Sequence, residues 1–315
     1  MPEVAWSAAT EDARPAGVML YVRALRLPFV TVSGTAYVYG VALAGGGLPV
    51  LPVLLGLAAV ILGHLGGNLA NDFADSRTGA DERDPRYFGF FGGSKLIQRG
   101  TLSRGFYLRA AAGCTLASGL CVVGVALLHD SLLAPAAFAA VAALAWSYSC
   151  RPLRLAYRRM GEALVFLLFG PATVAAGAFC RAGRVPGWPV WLMSATPGLL
   201  TAAVLVANEV PDAPDDDAVG KRHLVNAVGP SRGWMLFAAS VAAAYAVVAA
   251  GIASGAVGLL ALASLAALAP AAVAIRTLRG RWSEKRALTR SSRAAIAVHA
   301  VATAALILDA WLMRG

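Results

Sequence analysis

The chain has 315 residues, of which 58% are hydrophobic and only 14% charged, and its mean hydropathy is +0.66. That leaves too little polar surface for a soluble globule of this size. The net charge of +10 invites a nucleic-acid reading, but its placement along the chain, below, suits anionic lipid headgroups and anionic substrates instead.

The polar opening MPEVAWSAATEDARPAG lacks the charged-then-apolar order of a cleavable signal. Residues 1–21 are therefore expected to form a mobile cytoplasmic tail before a single transmembrane domain at 22–315. A helix needs about 20 predominantly apolar residues to cross the hydrocarbon core with every backbone group satisfied internally. Runs of that kind predict nine spans, at 24–45, 49–71, 105–128, 132–149, 161–181, 188–208, 233–253, 255–275 and 293–312. The expected fold class is all-α, a polytopic membrane bundle.

Orientation follows from the basic residues. With the N terminus in the cytoplasm, Arg14, Arg23 and Arg26 lie inside, as do seven between Arg77 and Arg109, four between Arg151 and Arg159, Lys221, Arg222, Arg232 and seven between Arg276 and Arg293. Only Arg181, Arg184 and Arg314 remain outside. The positive-inside rule then fixes a cytoplasmic N terminus and, with an odd number of spans, an external C terminus. Cys114, Cys121, Cys150 and Cys180 fall in or beside spans without paired ligand spacing and read as small buried apolar residues.

The acids are as unevenly spread. Asp72, Asp75, Asp81, Glu82 and Asp84 follow the second span, and Glu209, Asp212, Asp215, Asp216 and Asp217 follow the sixth, all on the cytoplasmic side. On a helix Asn68, Asp72 and Asp75 share one face, and Asn208, Asp212 and Asp216 share another. ANDFAD at 70–75 can be laid over ANEVPD at 207–212, an internal pseudo-repeat of a binding element. Like charges this close repel unless a cation offsets them. Neighbouring Lys and Arg can do so, and so can Mg²⁺, which takes Asp and Asn oxygens and shares its shell with phosphate oxygens. Glu82, Asp84, Asp215 and Asp217 read as solvated loop acids, whereas Asn68, Asp72, Asp75, Asn208, Asp212 and Asp216 are the candidate metal ligands.

The motifs N68-x-x-N71-D72-x-x-D75-x-x-x-G79-x-D81 and N208-E209-x-P211-D212-x-x-x-D216-x-x-x-G220-K221 resemble the two aspartate-rich signatures of the UbiA superfamily of intramembrane prenyltransferases. GGSKLIQRGTLS at 92–103, YSCRPLRLAYRRMGE at 148–162 and LLFGPATV at 167–174 follow in the family's order, so the resemblance covers about residues 22–232. The second signature and the YSxxPLRL-type loop look closest to the branch that includes 1,4-dihydroxy-2-naphthoate prenyltransferases of menaquinone synthesis. The resemblance implies a bundle around a central cavity in a bacterial cell membrane, with the acids at its cytoplasmic mouth. It also implies Mg²⁺-dependent transfer of a prenyl group from a polyprenyl diphosphate to a lipid-soluble, aromatic or quinone-precursor acceptor. Asp72, Asp75, Asp212 and Asp216 are then catalytic as well as metal-binding. Lys95, Arg99, Tyr148, Arg154 and Lys221 become candidates for the diphosphate, although basic residues at this boundary also serve as topology determinants, and Tyr148 as an interfacial residue. His64, one turn before Asn68, is placed to touch the acceptor or assist proton removal, or to bond a neighbouring helix. His223 and Asp217 depart from the related branch, which often carries Thr or Asn and Lys there. Two alternatives stand beside the transferase: a cyclase of the same fold acting on the diphosphate alone, and a cation-coupled transporter. Transporter sites usually lie near the bilayer midplane, whereas these acids sit at span ends.

Overall fold

The computed structural model describes residues 17–314, so that the expected tail, up to residue 16, lies outside the described residues. Val18 already begins a helix, α1 (Val18–Leu25), which leads through a short turn into α2 (Val30–Ala44). There follow α3 (Val50–Thr78), α4 (Arg104–His129), α5 (Leu133–Ser149), α6 (Gly161–Leu167), α7 (Thr173–Ala182), α8 (Trp188–Ala218), α9 (Leu224–Val228), α10 (Gly233–Ala253), α11 (Leu268–Gly280) and α12 (Lys285–Arg314). The described residues contain no strand. By length and composition eight of the helical segments can cross a membrane, and α5 is a shorter apolar ninth. The expected all-α bundle is observed.

Two spans run further than their apolar stretches suggest. α3 continues to Thr78 and α8 to Ala218, so Asp72, Asp75, Asp212 and Asp216 stand on helices rather than in the loops beyond them. α8 carries Pro197, Pro211 and Pro214 inside it. Proline is tolerated in such helices where neighbouring groups satisfy the freed carbonyls. The 161–181 span is likewise a composite: α6 and α7 join through a π turn at Leu168–Ala172 that contains Pro171. There the Thr173 hydroxyl donates to the Leu168 carbonyl at 2.7 Å, taking up an acceptor the distorted turn leaves free.

Helix packing depends on small residues, as expected where lipid offers no hydrophobic drive between helices. α2 and α7 meet so closely that a Cβ on Gly40 would overlap the Val174 carbonyl, and one on Gly177 the Tyr37 carbonyl. Gly170 and Gly198 play the same part between the π turn and α8.

The two ends of the bundle differ in charge. At one end α3 and α8 finish, and Lys285 at the start of α12 ties the loop after α3 to the last turn of α8, donating to Asp84 at 3.0 Å and Asp215 at 2.7 Å; Asp215, expected in a loop, stands on the helix. At the other, Arg181 donates to the carbonyls of Val41, Gly46 and Gly47, and Arg314 to those of Leu43 and Ala256. These arginines satisfy the orphan carbonyls at the C-terminus of α2 and favour its dipole. Asp309, an acid inside an apolar span, accepts the amides of Gly258 and Ala261 at 2.8 and 3.0 Å, capping the short 3₁₀ segment Leu259–Ala267.

Gly177→Ala should cost about 1–3 kcal/mol through forced separation of α2 from α7. Gly34→Ala, at a helical glycine with nothing within 4 Å of its added methyl, should be neutral or stabilising by up to about 1 kcal/mol. Thermal melts of the two purified variants, read by loss of monodisperse protein, check the contrast.

Candidate active site

A cavity of about 710 Å³ opens at the acidic end and runs inward between α2, α3, α4, α5, α7 and α8. Asn68, Asn71 and Asp75 line its mouth from α3, and Asn208, Glu209, Asp212 and Asp216 from α8. Asp81 and Gly92 of the connecting loop, Arg26 and Lys221 complete it. Deeper in, the wall is apolar and aromatic, with Phe91, Phe138, Trp146, Phe169 and Phe179 among the lining residues. The two halves of the pseudo-repeat therefore do converge on one pocket. Asn71 and Asp75 occupy the places that Asn208 and Asp212 take on the other side.

Two of the carboxylates share one neutralising partner, Lys221. Asp75 accepts from Lys221 Nζ at 3.0 Å, from the Tyr157 hydroxyl at 2.9 Å and from Asn71 at 3.2 Å. Asp216 lies 3.4 Å from Lys221 Nζ. Burial alone would lower the Lys221 ammonium, but Asp216 and Asp75 outweigh it and hold it well above the ordinary lysine range. Burial, then the adjacent Asp75, pushes the Tyr157 phenol up to about 12, so it stays a donor.

The loop between α3 and α4 joins the two acidic helices. The Gly92 amide donates to Asp212 at 2.8 Å and the Ser94 amide to Asp72 at 3.1 Å, so amides two residues apart hold one carboxylate from each helix. Glycine is required here: Gly92 and Gly93 have φ of +71° and +68°, and a Cβ on Gly93 would overlap the Asp81 carboxylate. Lys95 takes a left-handed φ of +61° in the same turn. Its ammonium donates to the Asp81 carbonyl at 2.7 Å and lies 3.6 Å from the Asp81 carboxylate.

Of the residues singled out in the sequence, His64, Asn68, Asp75, Tyr148, Asn208, Asp212, Asp216 and Lys221 line the cavity. Asp72 stands beside the wall, turned to the Ser94 amide and to Arg26 at 3.7 Å. Lys95 is buried behind the mouth against Asp81. Arg99 donates to the Pro85 carbonyl at 3.1 Å, and Arg154 lies 3.7 Å over the Tyr157 ring, one residue removed from Asp75. His64 bonds Ser33 Oγ through Nδ1 at 2.9 Å and meets Phe169 edge-on. Arg26, Asn71, Asp81, Glu209 and Tyr157 were not in that set. Asp81 and Asn71 belong to the first quoted motif and Glu209 to the second. Tyr157 lies within the stretch quoted at 148–162, whereas Arg26 carries no motif signal beyond being a polar residue flanking a span.

A family model described as the UbiA prenyltransferase family matches residues 32–312. The chain belongs to the UbiA prenyltransferase family. It is an integral membrane prenyltransferase. It is 28% identical over 244 residues to a 2-carboxy-1,4-naphthoquinone phytyltransferase of Synechocystis, covering 76% of this chain and 75% of that protein. It is 31% identical over 192 residues to a 1,4-dihydroxy-2-naphthoate octaprenyltransferase of Mycobacterium tuberculosis, covering 61% of this chain and 63% of that one. Among solved structures, a UbiA homolog from Aeropyrum pernix superposes with a TM-score of 0.68 at 22% identity, over 89% and 97% of the two chains. A UbiA homolog from Archaeoglobus fulgidus bound to DMAPP and Mg²⁺ gives 0.63 at 16% identity, over 91% and 98%. These likenesses establish the fold.

In this prenyltransferase Asp81 has its carboxyl raised to about 7, first by burial and then by repulsion from Asp75, with Lys95 opposing. A folded value above the unfolded one means the charged form costs stability: the penalty is complete above about pH 7 and fades as pH falls toward the ordinary carboxylate range. With a chelator present, thermal stability should gain from Asp81 as pH drops from about 8 to about 6, and Asp81→Asn should lose that part of the slope.

Proposed function

We propose that this cavity binds a polyprenyl diphosphate by its pyrophosphate at the acidic mouth, through Mg²⁺, and transfers the prenyl group to a dihydroxynaphthoate-class aromatic acceptor held in the apolar interior. The observation that carries this reading is the pairing of Asp75 and Asp212, from helices far apart in sequence, on one cavity whose remaining wall is apolar.

The donor set fits Mg²⁺. It consists of hard oxygens from Asp75, Asp81, Asp212, Asp216, Asn68 and Asn208, and the buried Asn208 Oδ1 has no hydrogen-bond partner. Such an orphaned carbonyl costs free energy unless something electropositive meets it. When bound, the ion supplies charge neutralisation for the pyrophosphate as it leaves.

The chain's own residues do the rest. Lys221 and Arg26, both lining the mouth, stabilise negative charge that grows on the leaving oxygen. The bond from the prenyl C1 to that oxygen breaks with its electron pair going to pyrophosphate. A ring carbon of the acceptor then bonds C1 and loses its proton, or its carboxyl group as CO₂. The aromatic lining keeps water from the electrophilic C1 until the acceptor reaches it. His64, held by Ser33 and by Phe169, presents a polar side chain within that lining and orients the acceptor. With the basic residues flanking this mouth, the site faces the cytoplasm.

Purified protein given a prenyl diphosphate, Mg²⁺ and 1,4-dihydroxy-2-naphthoate should release pyrophosphate only when the acceptor is present, and EDTA should abolish turnover. Asp75→Asn and Asp212→Asn should each lower kcat by roughly 10²–10³ while the protein remains monodisperse. Pyrophosphate release without acceptor, with a hydrocarbon or alcohol product, would replace the transferase with a cyclase.

A further inference from the structure

Beside the mouth a second cluster forms, from two glutamates and a histidine to which the transfer chemistry above assigns no role. Glu162 on α6, Glu209 on α8 and His223, the residue capping α9, bring ligand atoms within 4.8 Å of one another. All three are buried, at 5%, 8% and 1% exposure. Glu162 Oε2, Glu209 Oε2 and His223 Nε2 have no hydrogen-bond partner. Glu162 spends its other oxygen on the Leu224 amide, at 2.6 Å, which leaves Oε2 to the cluster.

Two carboxylates this close in a buried site repel, and the charged forms persist together only beside a cation. Lys221 is already engaged by Asp75 and Asp216. The histidine is oriented for a different cation. His223 Nδ1 faces Glu209 Oε2 at 3.8 Å, while Nε2 faces Asp216 Oδ2 at 3.6 Å. With its proton on Nε2, the ring directs that N–H at Asp216 and leaves the Nδ1 lone pair toward the glutamates. In this structure that lone pair accepts the Asn226 backbone N–H at a long 3.4 Å, a weak cap that metal ligation displaces. A carboxylate behind the imidazole and a metal in front is how ligating histidines are commonly held.

We propose that Glu162, Glu209 and His223 bind one divalent transition ion of the zinc class, separate from the Mg²⁺ at the mouth. One imidazole nitrogen with two carboxylate oxygens suits Zn²⁺, whereas Mg²⁺ demands an all-oxygen octahedron. Tetrahedral bonds of about 2.1 Å place ligand atoms roughly 3.4 Å apart. Rotation of side chains on three separate elements closes the cluster to that size. Glu209 also lines the cavity, so the fourth position of the ion opens on the reaction chamber, where an acceptor oxygen can enter it.

The test uses the full-length protein, stripped with EDTA and returned to millimolar Mg²⁺ so that the mouth is filled. Titration with Zn²⁺ should then give one tightly held ion per chain by elemental analysis after desalting. Its X-ray absorption spectrum should show one imidazole nitrogen among oxygen ligands. Glu162→Gln keeps an oxygen for the Leu224 amide, so α9 stays anchored, and should weaken Zn²⁺ at least tenfold. Glu209→Gln should do the same if the first variant folds poorly. Asp75→Asn should lose turnover yet retain the ion, which separates this site from the mouth. Absence of retained Zn²⁺ under excess Mg²⁺, loss of it in Asp75→Asn but not in the glutamate variants, or a spectrum without nitrogen would overturn the proposal.

Discussion

The constraint on which the structure turns is the burial of several carboxylates at one end of an apolar bundle. Asp72, Asp75 and Asp216 are each at most 5% exposed, a placement that is costly unless every charge finds a partner. The fold meets it with two devices. Lys221 bridges Asp75 and Asp216 across the gap between α3 and α8, and the amides of Gly92 and Ser94 clasp Asp212 and Asp72 from a single turn. Both devices link the same two helices, so the groups that neutralise the acids also set the width of the mouth. A helix pair held by ion pairs at its polar end and by close packing of small residues elsewhere can keep a wide apolar chamber between them without collapsing it.

The left-handed backbone of the loop follows from the same need. Aiming two amides at two carboxylates from opposite sides requires positive φ at Gly92 and Gly93, and Lys95 pays some strain to turn its ammonium back onto Asp81. Arg26 and Arg154, at φ of 53° and 47°, take similar conformations at the mouth's edge. Residues held in such sparsely populated conformations persist when the surrounding structure over-determines them, and here the surroundings are the acids themselves.

Much of this was legible in the residues. Apolar runs located the spans to within a few residues, because the bilayer sets helix length; they ended α3 and α8 early, because a helix that leaves hydrocarbon for a lined polar mouth no longer needs apolar side chains. Spacing put Asn68, Asp72 and Asp75 on one face, yet the cavity takes Asn68, Asn71 and Asp75 and sets Asp72 at its edge. Periodicity defines a stripe but not the rotation of the helix that bears it. The pseudo-repeat carried the better information, since it pairs Asn71 with Asn208 and Asp75 with Asp212. Arg26 and the meeting of Glu162 with His223 were out of reach: each depends on which loop folds over the mouth, and no periodic pattern encodes that. Tyr157 lay within a quoted motif, but the motif does not say that its hydroxyl reaches Asp75.

The contrast between the bundle's two ends bears on the direction of the chemistry. At the far end Arg181 and Arg314 donate to backbone carbonyls and Asp309 accepts amides, so these charged groups serve the ends of the helices. In the proposed reaction the acids at the mouth, with the cations they require, hold the pyrophosphate. When the prenyl bond breaks, the two products therefore have opposite preferences, the anion for the mouth and the carbon electrophile for the aromatic wall. Separation along that polarity gradient favours capture by an acceptor lying deeper in the cavity over return of the electrophile to pyrophosphate.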